Sequence, residues 1–217
     1  MSGDFRHSGN DGGAGLAAPQ ALVAFDFDGT LTCRDSFVAF FRWRAGSVGF
    51  AAGVASLAPS VASHVVRPDR GKLKAAMARR FLGRISRSEL EAEARRFARS
   101  RAETLFRPDA LKCWRDWRAR GARLYIVTAS PETLVAPFAD HLGADGLIGT
   151  RLKWDEKDRY AGVLDGRNCR GPEKVARIKS TLGADVAVEA AYGDSSGDTE
   201  LLAFAKFGGM KVFKERP

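Results

Sequence analysis

Three short apolar runs, each ending in small or acidic polar residues, are the feature that most limits how this chain can fold. They are Leu22–Phe27, Leu124–Val127 and Val186–Tyr192. Runs of this kind are typical of buried parallel strands, and helical patterns fill the sequence between them. This alternation predicts a doubly wound, mostly parallel α/β sheet. Because ligands bind beyond the carboxyl ends of such strands, the polar residues after each run form the candidate site.

Cap and stop signals predict the helices. Ser86 and Glu89 have the spacing of a capping box, and apolar residues on one face follow them. Further helices are predicted over Asp109–Arg120 with Gly121 as the stop, from Ser130 as N-cap with Pro131 at the first helical position, over Gly171–Leu182 and over Gly197–Ala205.

The same signals divide the chain into three parts. Residues 1–20 are rich in glycine and poor in large apolar side chains, which predicts a disordered leader. Residues 21–35 and 106–217 are predicted to form the α/β core. Residues 36–105 are predicted to be an all-helical cap, inserted between the first and second strands.

Positive charge is concentrated in the predicted cap. The chain has a net charge of +9, and residues 67–101 contain twelve lysines and arginines but four acids. Such a field favours an anionic partner, which is a phospholipid surface, a nucleic acid or an acidic substrate. The alternative is an ordinary solvated helical face. No nucleic-acid-binding motif accompanies the segment, so a nucleic-acid partner is the less favoured interpretation.

An uncharged stretch, residues 45–66, precedes the basic segment. Its length approaches that of a membrane span, but it consists mainly of small residues and contains Pro59. We therefore expect a small helical hairpin that packs within the cap or touches a membrane. Three widely separated cysteines and a start without a secretory signal predict a cytoplasmic protein, peripheral on the inner face of the membrane if it binds lipid.

Acidic and hydroxyl side chains follow the predicted strands. Asp26 and Asp28 come after the first run, and residues two apart in a strand share a face. Adjacent carboxylates repel one another, and a divalent cation such as Mg²⁺ relieves that cost. Thr128 follows the second run, while Asp194 and Asp198 follow the third and can complete an oxygen-rich metal site. A lysine, Lys174, can neutralise negative charge on a phosphate.

Together these residues resemble the four motifs of the haloacid dehalogenase-like (HAD) phosphatases. The motifs read Asp26-Phe27-Asp28-Gly29-Thr30-Leu31-Thr32, then Thr128, then Lys174, then Gly193-Asp194-Ser195-Ser196-Gly197-Asp198. The position of the helical insert and the short hairpin-like stretch before Lys174 resemble subfamily IB, the phosphoserine phosphatase branch. The run Cys169–Lys174 and the apolar insert are similar to those of phosphatidylglycerophosphatase C-like hydrolases.

The resemblance implies a role for each motif residue. Asp26 would be the nucleophile and Asp28 the general acid and base. Mg²⁺ would be held by Asp26, Asp194 and the backbone carbonyl of Asp28, and Asp198 would complete the metal site by positioning a metal-bound water or Lys174. The resemblance also implies that the phosphate is bound by the Thr128 hydroxyl, the Ala129 N–H and Lys174.

The resemblance leaves the substrate open. Asp35 stands where phosphoserine phosphatases carry a glutamate that holds the substrate amine, so it either contacts substrate or caps the helix that begins near Ser36. The expected activity is hydrolysis of a phosphate monoester, with a phospholipid phosphate such as phosphatidylglycerophosphate as one candidate. The alternatives are a small soluble metabolite phosphate, or a nucleic-acid- or anion-binding protein built on this scaffold.

Overall fold

The computed structural model describes residues 20–58 and 70–217 and has a six-stranded sheet at its centre. The strands are β1 Leu22–Phe25, β2 Arg123–Pro131, β3 Gly146–Trp154, β4 Tyr160–Asp165, β5 Ala190–Gly193 and β6 Phe207–Met210. Their order is β4-β3-β2-β1-β5-β6, and neighbours are parallel except in the β3–β4 hairpin. The predicted α/β fold is confirmed. The three apolar runs contribute β1, β2 and β5, which lie side by side in the sheet.

Helices occupy the segments between the strands. They are α1 Ser36–Ala55, α2 Arg70–Leu82, α3 Arg87–Leu105, α4 Pro108–Ala119, α5 Glu132–Leu142, α6 Pro172–Leu182 and α7 Thr199–Phe204. Helices α1, α2 and α3 lie between β1 and β2, in the segment predicted to be the inserted cap, and are called the cap below. The predicted capping box is present at the start of α3, where the side chains of Ser86 and Glu89 each accept a hydrogen bond from the other's backbone N–H.

The predicted N-cap at Ser130 is wrong. Strand β2 continues through Ser130 as far as Pro131, which pairs with Thr150 of β3. Pro131 is the N-cap of α5, and the helix begins at Glu132. The Ser130 hydroxyl is used elsewhere, because it donates a hydrogen bond to the carboxylate of Asp28. The extended pairing with β3 therefore overrides the local helix-start signal.

A continuous hydrophobic cluster joins the cap to the sheet. The ring of Phe97 in α3 lies 5.5 Å from that of Phe40 in α1 and 5.8 Å from that of Phe138 in α5. Phe138 in turn contacts Phe27, just beyond β1, with ring centroids 5.3 Å apart. Aromatic burial of this kind contributes strongly to stability. The cap is therefore fastened to the core by large buried side chains.

The predicted uncharged stretch is only partly described. Its first part lies in α1, which is interrupted at Gly46 with φ 69° and ψ 167°. Among the described residues, no helix combines the length and the apolar character that a bilayer crossing requires. Residues 59–69, which include the end of this stretch and the start of the basic segment, lie outside the described residues, as does the predicted leader up to residue 19.

Candidate active site

Asp26 and Lys174 form the centre of a site at the carboxyl ends of β1, β2 and β5. Asp26 directly follows β1 and is 6% exposed, and Lys174, in the first turn of α6, is 1% exposed. The Lys174 ammonium donates hydrogen bonds of 2.6 Å to Asp26 Oδ1, to Asp198 Oδ1 and to the carbonyl oxygen of Val127. One lysine thus connects β2 with the residues that follow β1 and β5.

Burial and neighbouring charges set the ionisation of this centre. Burial raises the pKa of Asp26 to about 7, although the positive charge of Lys174 opposes this shift. Burial also disfavours ionised Asp198, but the charge and hydrogen bonds of Lys174 bring its pKa below the ordinary value. Burial alone would lower the pKa of Lys174, and the two carboxylates raise it instead. The lysine is therefore held in its charged form.

Three carboxylates converge beside this lysine. Asp26, Asp194 and Asp198 each offer an oxygen, and these oxygens lie within 4.8 Å of one another. Burial raises the pKa of Asp194, and the nearby charges of Asp198 and Asp28 raise it further. Hard carboxylate oxygens that repel one another match the preference of Mg²⁺. The residues present therefore fit the predicted metal.

Glycine at position 29 allows the loop after β1 to approach the loop after β5 closely. Gly29 has φ +84°, and a Cβ atom there would lie 2.2 Å from Asp194 Oδ2. Any side chain would collide with that carboxylate. The close approach of the two loops therefore depends on the absence of a side chain at this position.

The carboxylate of Asp28 is held apart from the three-carboxylate cluster. Its Oδ1 accepts a hydrogen bond of 2.6 Å from the backbone N–H of Ser36, and its Oδ2 accepts one from the Ser130 hydroxyl. Asp28 lines the same cavity as Asp26. This places a carboxyl group where it can exchange a proton with a molecule bound in front of Asp26.

The predicted phosphate-binding residues lie at the end of β2. Thr128 is buried, lines the cavity, and accepts a hydrogen bond of 3.0 Å from the Ser130 N–H through its hydroxyl oxygen. Ala129 also lines the cavity. The Ala129 carbonyl accepts hydrogen bonds from Thr150 Oγ1 at 2.8 Å and from Lys74 Nζ at 2.9 Å. The bond from Thr150, which lies in β3, holds this part of β2 within the sheet, and Lys74 adds a contact from the cap.

The cavity in front of Asp26 has a volume of about 540 Å³ and two unlike walls. The core side carries the charged residues described above. The cap side is largely apolar and contains Phe37, Val38, Leu73 and Met77. Asp35 lies at the boundary, where its Oδ1 caps α1 by accepting a 2.9 Å hydrogen bond from the Val38 N–H. The capping interpretation of Asp35 is confirmed, and its contact with substrate stays a prediction.

Sequence reasoning did not identify several residues that line or border this cavity. They are Lys74, Arg107, Asn168 and Arg170, together with Ser130 behind Asp28. Lys74 belongs to the basic segment that the charge count had singled out. A charge count does not show which of twelve cations faces inward, because that depends on how the helix is rotated.

The sequence matches the haloacid dehalogenase-like hydrolase family over residues 23–203. The chain belongs to this family. Protein CicA of Caulobacter vibrioides (strain NA1000 / CB15N) is 54% identical over 196 residues, which are 90% of this hydrolase and 88% of CicA. The family predicted from the four motifs is thus confirmed.

Solved structures show the same HAD fold. A protein of unknown function from Bordetella pertussis Tohama I has a TM-score of 0.69 and 25% identity, covering 85% of this hydrolase and 86% of that chain. A phosphoserine phosphohydrolase-like protein from Francisella tularensis has a TM-score of 0.62 and 17% identity, covering 88% and 86%. Family and fold both agree with the enzyme class predicted from the sequence, a phosphatase.

Proposed function

We propose that this HAD hydrolase is a Mg²⁺-dependent phosphomonoesterase that forms an aspartyl-phosphate on Asp26. One observation carries the proposal. The buried carboxylate of Asp26 faces a cavity, is hydrogen-bonded to Lys174, and lies within 4.8 Å of the oxygens of Asp194 and Asp198. A nucleophile, a fixed cation and a set of metal ligands are the minimum that phosphoryl transfer by this route requires.

Four residues would hold the metal ion. They are Asp26, Asp194 and Asp198 through their carboxylates and Asp28 through its backbone carbonyl. When bound, Mg²⁺ supplies positive charge that offsets the repulsion among these acids and among the phosphoryl oxygens. Asp198 has a second task in this arrangement, since its Oδ1 accepts a hydrogen bond from Lys174.

In the first step, a carboxylate oxygen of Asp26 attacks phosphorus and the bond from phosphorus to the ester oxygen breaks. Asp28, entering this step protonated, donates its proton to the departing alcohol. The Thr128 hydroxyl and the Ala129 N–H bind phosphoryl oxygens. Lys174 offsets their negative charge from its buried position behind Asp26.

In the second step, water attacks the phosphorus atom of the aspartyl-phosphate. Asp28, now ionised, accepts a proton from this water. The bond between phosphorus and the Asp26 oxygen breaks, so inorganic phosphate leaves and the Asp26 carboxylate is restored. The hydrogen bonds from Ser36 and Ser130 keep Asp28 oriented for both proton transfers.

A phospholipid phosphate such as phosphatidylglycerophosphate is our first candidate substrate. Two observations support it: the apolar cap side of the cavity, and Val48 of α1, which is 85% exposed on an uncharged section of the cap. A basic cap beside such a surface suits an anionic membrane face. A soluble metabolite phosphate is the alternative. It is favoured by the charged side chains that line the cavity beside the apolar ones.

Phosphate release with and without Mg²⁺ tests the reaction. The wild type, the Asp26→Asn variant and a control with the same change at the exposed Asp185 should be compared on p-nitrophenyl phosphate. We expect Mg²⁺-dependent release from the wild type and the control, and a loss of at least about a thousandfold in Asp26→Asn. Turnover that survives in Asp26→Asn would contradict the assignment of the nucleophile.

A substrate panel then separates the two candidates. Phosphatidylglycerophosphate in mixed micelles, phosphoserine, sugar phosphates and nucleotide monophosphates are compared by kcat/KM. Sedimentation with anionic and neutral liposomes at low salt tests the membrane surface independently. Preference for the lipid together with binding to anionic liposomes supports the first candidate, and a preferred soluble ester without liposome binding supports the alternative.

A further inference from the structure

Lys74 crosses from the cap into the site and is not explained by the reaction described above. It lies on α2, yet its Nζ donates a hydrogen bond of 2.9 Å to the Ala129 carbonyl and lies 3.4 Å from Ser130 Oγ. The same nitrogen lies 4.9 Å from the centre of the Phe37 ring. This lysine therefore links the cap, the end of β2 and the cavity.

The partners of Lys74 are neutral groups. Within the described parts of the chain, no carboxylate forms an ion pair with its Nζ, which bonds instead to a carbonyl and a hydroxyl oxygen. Burial lowers its pKa, and the more distant carboxylates of Asp28, Asp35 and Asp26 only oppose that shift. A partly buried cation is stabilised when an anion contacts it. Lys74 thus retains unused capacity to bind an anionic group.

The position of Lys74 indicates which end of a substrate it would contact. Lys74 Nζ lies 3.4 Å from Ser130 Oγ, which donates a hydrogen bond to Asp28, whereas Lys174 is bonded directly to Asp26. Asp28 is the group that would donate a proton to the departing alcohol. Lys74 therefore lies on the leaving-group side of the cavity, and Lys174 on the side of the nucleophile.

Apolar side chains line the cavity on the same side as Lys74. Leu73 and Met77 come from α2 itself, and Phe37 and Val38 come from the start of α1. A lysine beside apolar side chains suits a ligand that has both an apolar portion and a negative charge. A leaving group without either feature would leave this part of the cavity without matching contacts.

We infer that Lys74 and the apolar cap side of the cavity select a leaving group that carries a second anionic group beside an apolar portion. The inference rests on the proposed phosphatase function and adds the substrate class to it. A phosphodiester of a phospholipid and a carboxylate or phosphate on a soluble molecule share this chemistry. Lys74 is thus a specificity-determining residue, whereas Lys174 acts on the phosphate that is transferred.

Two esters of equal size test the charge. Para-carboxyphenyl phosphate carries an anion on its leaving group, and para-carbamoylphenyl phosphate is its neutral counterpart. We expect Lys74→Met to lower kcat/KM about tenfold to a hundredfold for the charged ester and less than about threefold for the neutral one. Lys74→Arg keeps the charge and should keep most of the preference. Lys72→Met, at an exposed position on the same helix, is the matched control and should preserve both values.

Binding distinguishes failure of this inference from failure of the proposed function. Calorimetric titration of both intact esters into Asp26→Asn, with and without Lys74→Met, gives the same comparison without turnover. A preference for the charged ester that depends on Lys74 supports the inference even if the enzyme hydrolyses neither. An equal effect of Lys74→Met on both esters, or no effect on either, overturns it while leaving the hydrolase proposal standing.

A second pair of substrates identifies the source of the anion. Dioctanoyl phosphatidylglycerophosphate and its deacylated form share the internal phosphodiester, and only the first has acyl chains. Sensitivity of both to Lys74→Met with a preference for the acylated form indicates a lipid. Equal kcat/KM values for the two forms, with the same sensitivity, indicate a soluble substrate. Insensitivity of both to Lys74→Met contradicts the inference.

Discussion

At the strand ends the charged groups are buried and bonded to one another, whereas the cap turns most of its charges towards solvent. Lys174 and Asp198 are each 1% exposed and form a direct ion pair. Arg95 of α3 is typical of the cap, since more than half of its side chain is exposed and its nearest carboxylate is 4.0 Å away. Buried charges are costly, and proteins retain them mainly where chemistry needs them. The buried charges of the core therefore form the candidate active site. The cap contributes to it through the few side chains that face the cavity.

Replacement of the core lysine should have the largest effect. Lys174→Met removes three hydrogen bonds and leaves the carboxylates of Asp26 and Asp198 uncompensated. We expect kcat to fall about a thousandfold, roughly 4 kcal/mol, on every substrate. Lys179→Met, at an exposed position on the same helix, should preserve kcat.

The comparison between core and cap would fail if Lys174→Met affected only substrates with charged leaving groups. That pattern is the one expected of the cap lysine. Steady-state kinetics on the two para-substituted phenyl phosphates distinguishes a uniform loss from a selective one.

Removing the aromatic contact between the cap and the core should have the next largest effect. The Phe97 side chain is buried and contacts Phe40 on one side and Phe138 on the other. We expect Phe97→Ala to lower the free energy of unfolding by about 3 kcal/mol, measured by urea denaturation. The same change at Phe207, which is 54% exposed, is the control and should cost much less.

The number of unfolding transitions sharpens this result. A single transition shifted to lower urea indicates that the cap and the core unfold together. Two transitions, with the later one unchanged from wild type, would show that the cap folds as an independent unit despite the shared hydrophobic cluster.

The pH dependence of the metal-free protein should be the smallest of the three effects, and it belongs to the core. The pKa of Asp26 rises from 3.8 to about 7 on folding, so the folded state binds this proton more tightly than the unfolded state. Stability in EDTA should therefore fall by roughly 2.5 kcal/mol as pH rises from about 5 to 7.5. Urea denaturation at pH 5 and pH 7.5 measures the change.

Two controls assign that pH dependence. Asp26→Asn removes the titrating group and should flatten the profile, and Mg²⁺ should restore the stability lost at the higher pH because it favours the ionised carboxylate. An unchanged profile in Asp26→Asn would assign the pH dependence to other groups.

The parts of the fold that could be predicted are those in which neighbouring residues carry the signal. The three apolar runs predicted the adjacent central strands, and Ser86 with Glu89 predicted the start of α3. Strand β6 gave no comparable signal, because it has four residues and two of them are glycines. At Ser130 the local signal was misleading, since pairing with β3 is a contact between segments that are distant in sequence.

The candidate site could likewise be predicted only in part. The motifs named Asp26, Asp194, Asp198 and Lys174, and the structure brings these four together. Their catalytic roles stay predictions. Lys74 could not be singled out, because its position in the cavity depends on the rotation of α2 and on the packing of the cap against the sheet. Short motifs thus predict the candidate reacting groups better than they predict the residues proposed to determine substrate specificity.

The placement of Leu73, Lys74 and Met77 within two turns of α2 has a consequence for enzyme engineering. All three line the cavity, and none belongs to the strand-end loops that hold the reacting groups. A small library at these positions could redirect the enzyme towards neutral, cationic or bulkier esters while the chemical machinery is kept intact. Substitutions within a single helix would then be enough to change the substrate preference.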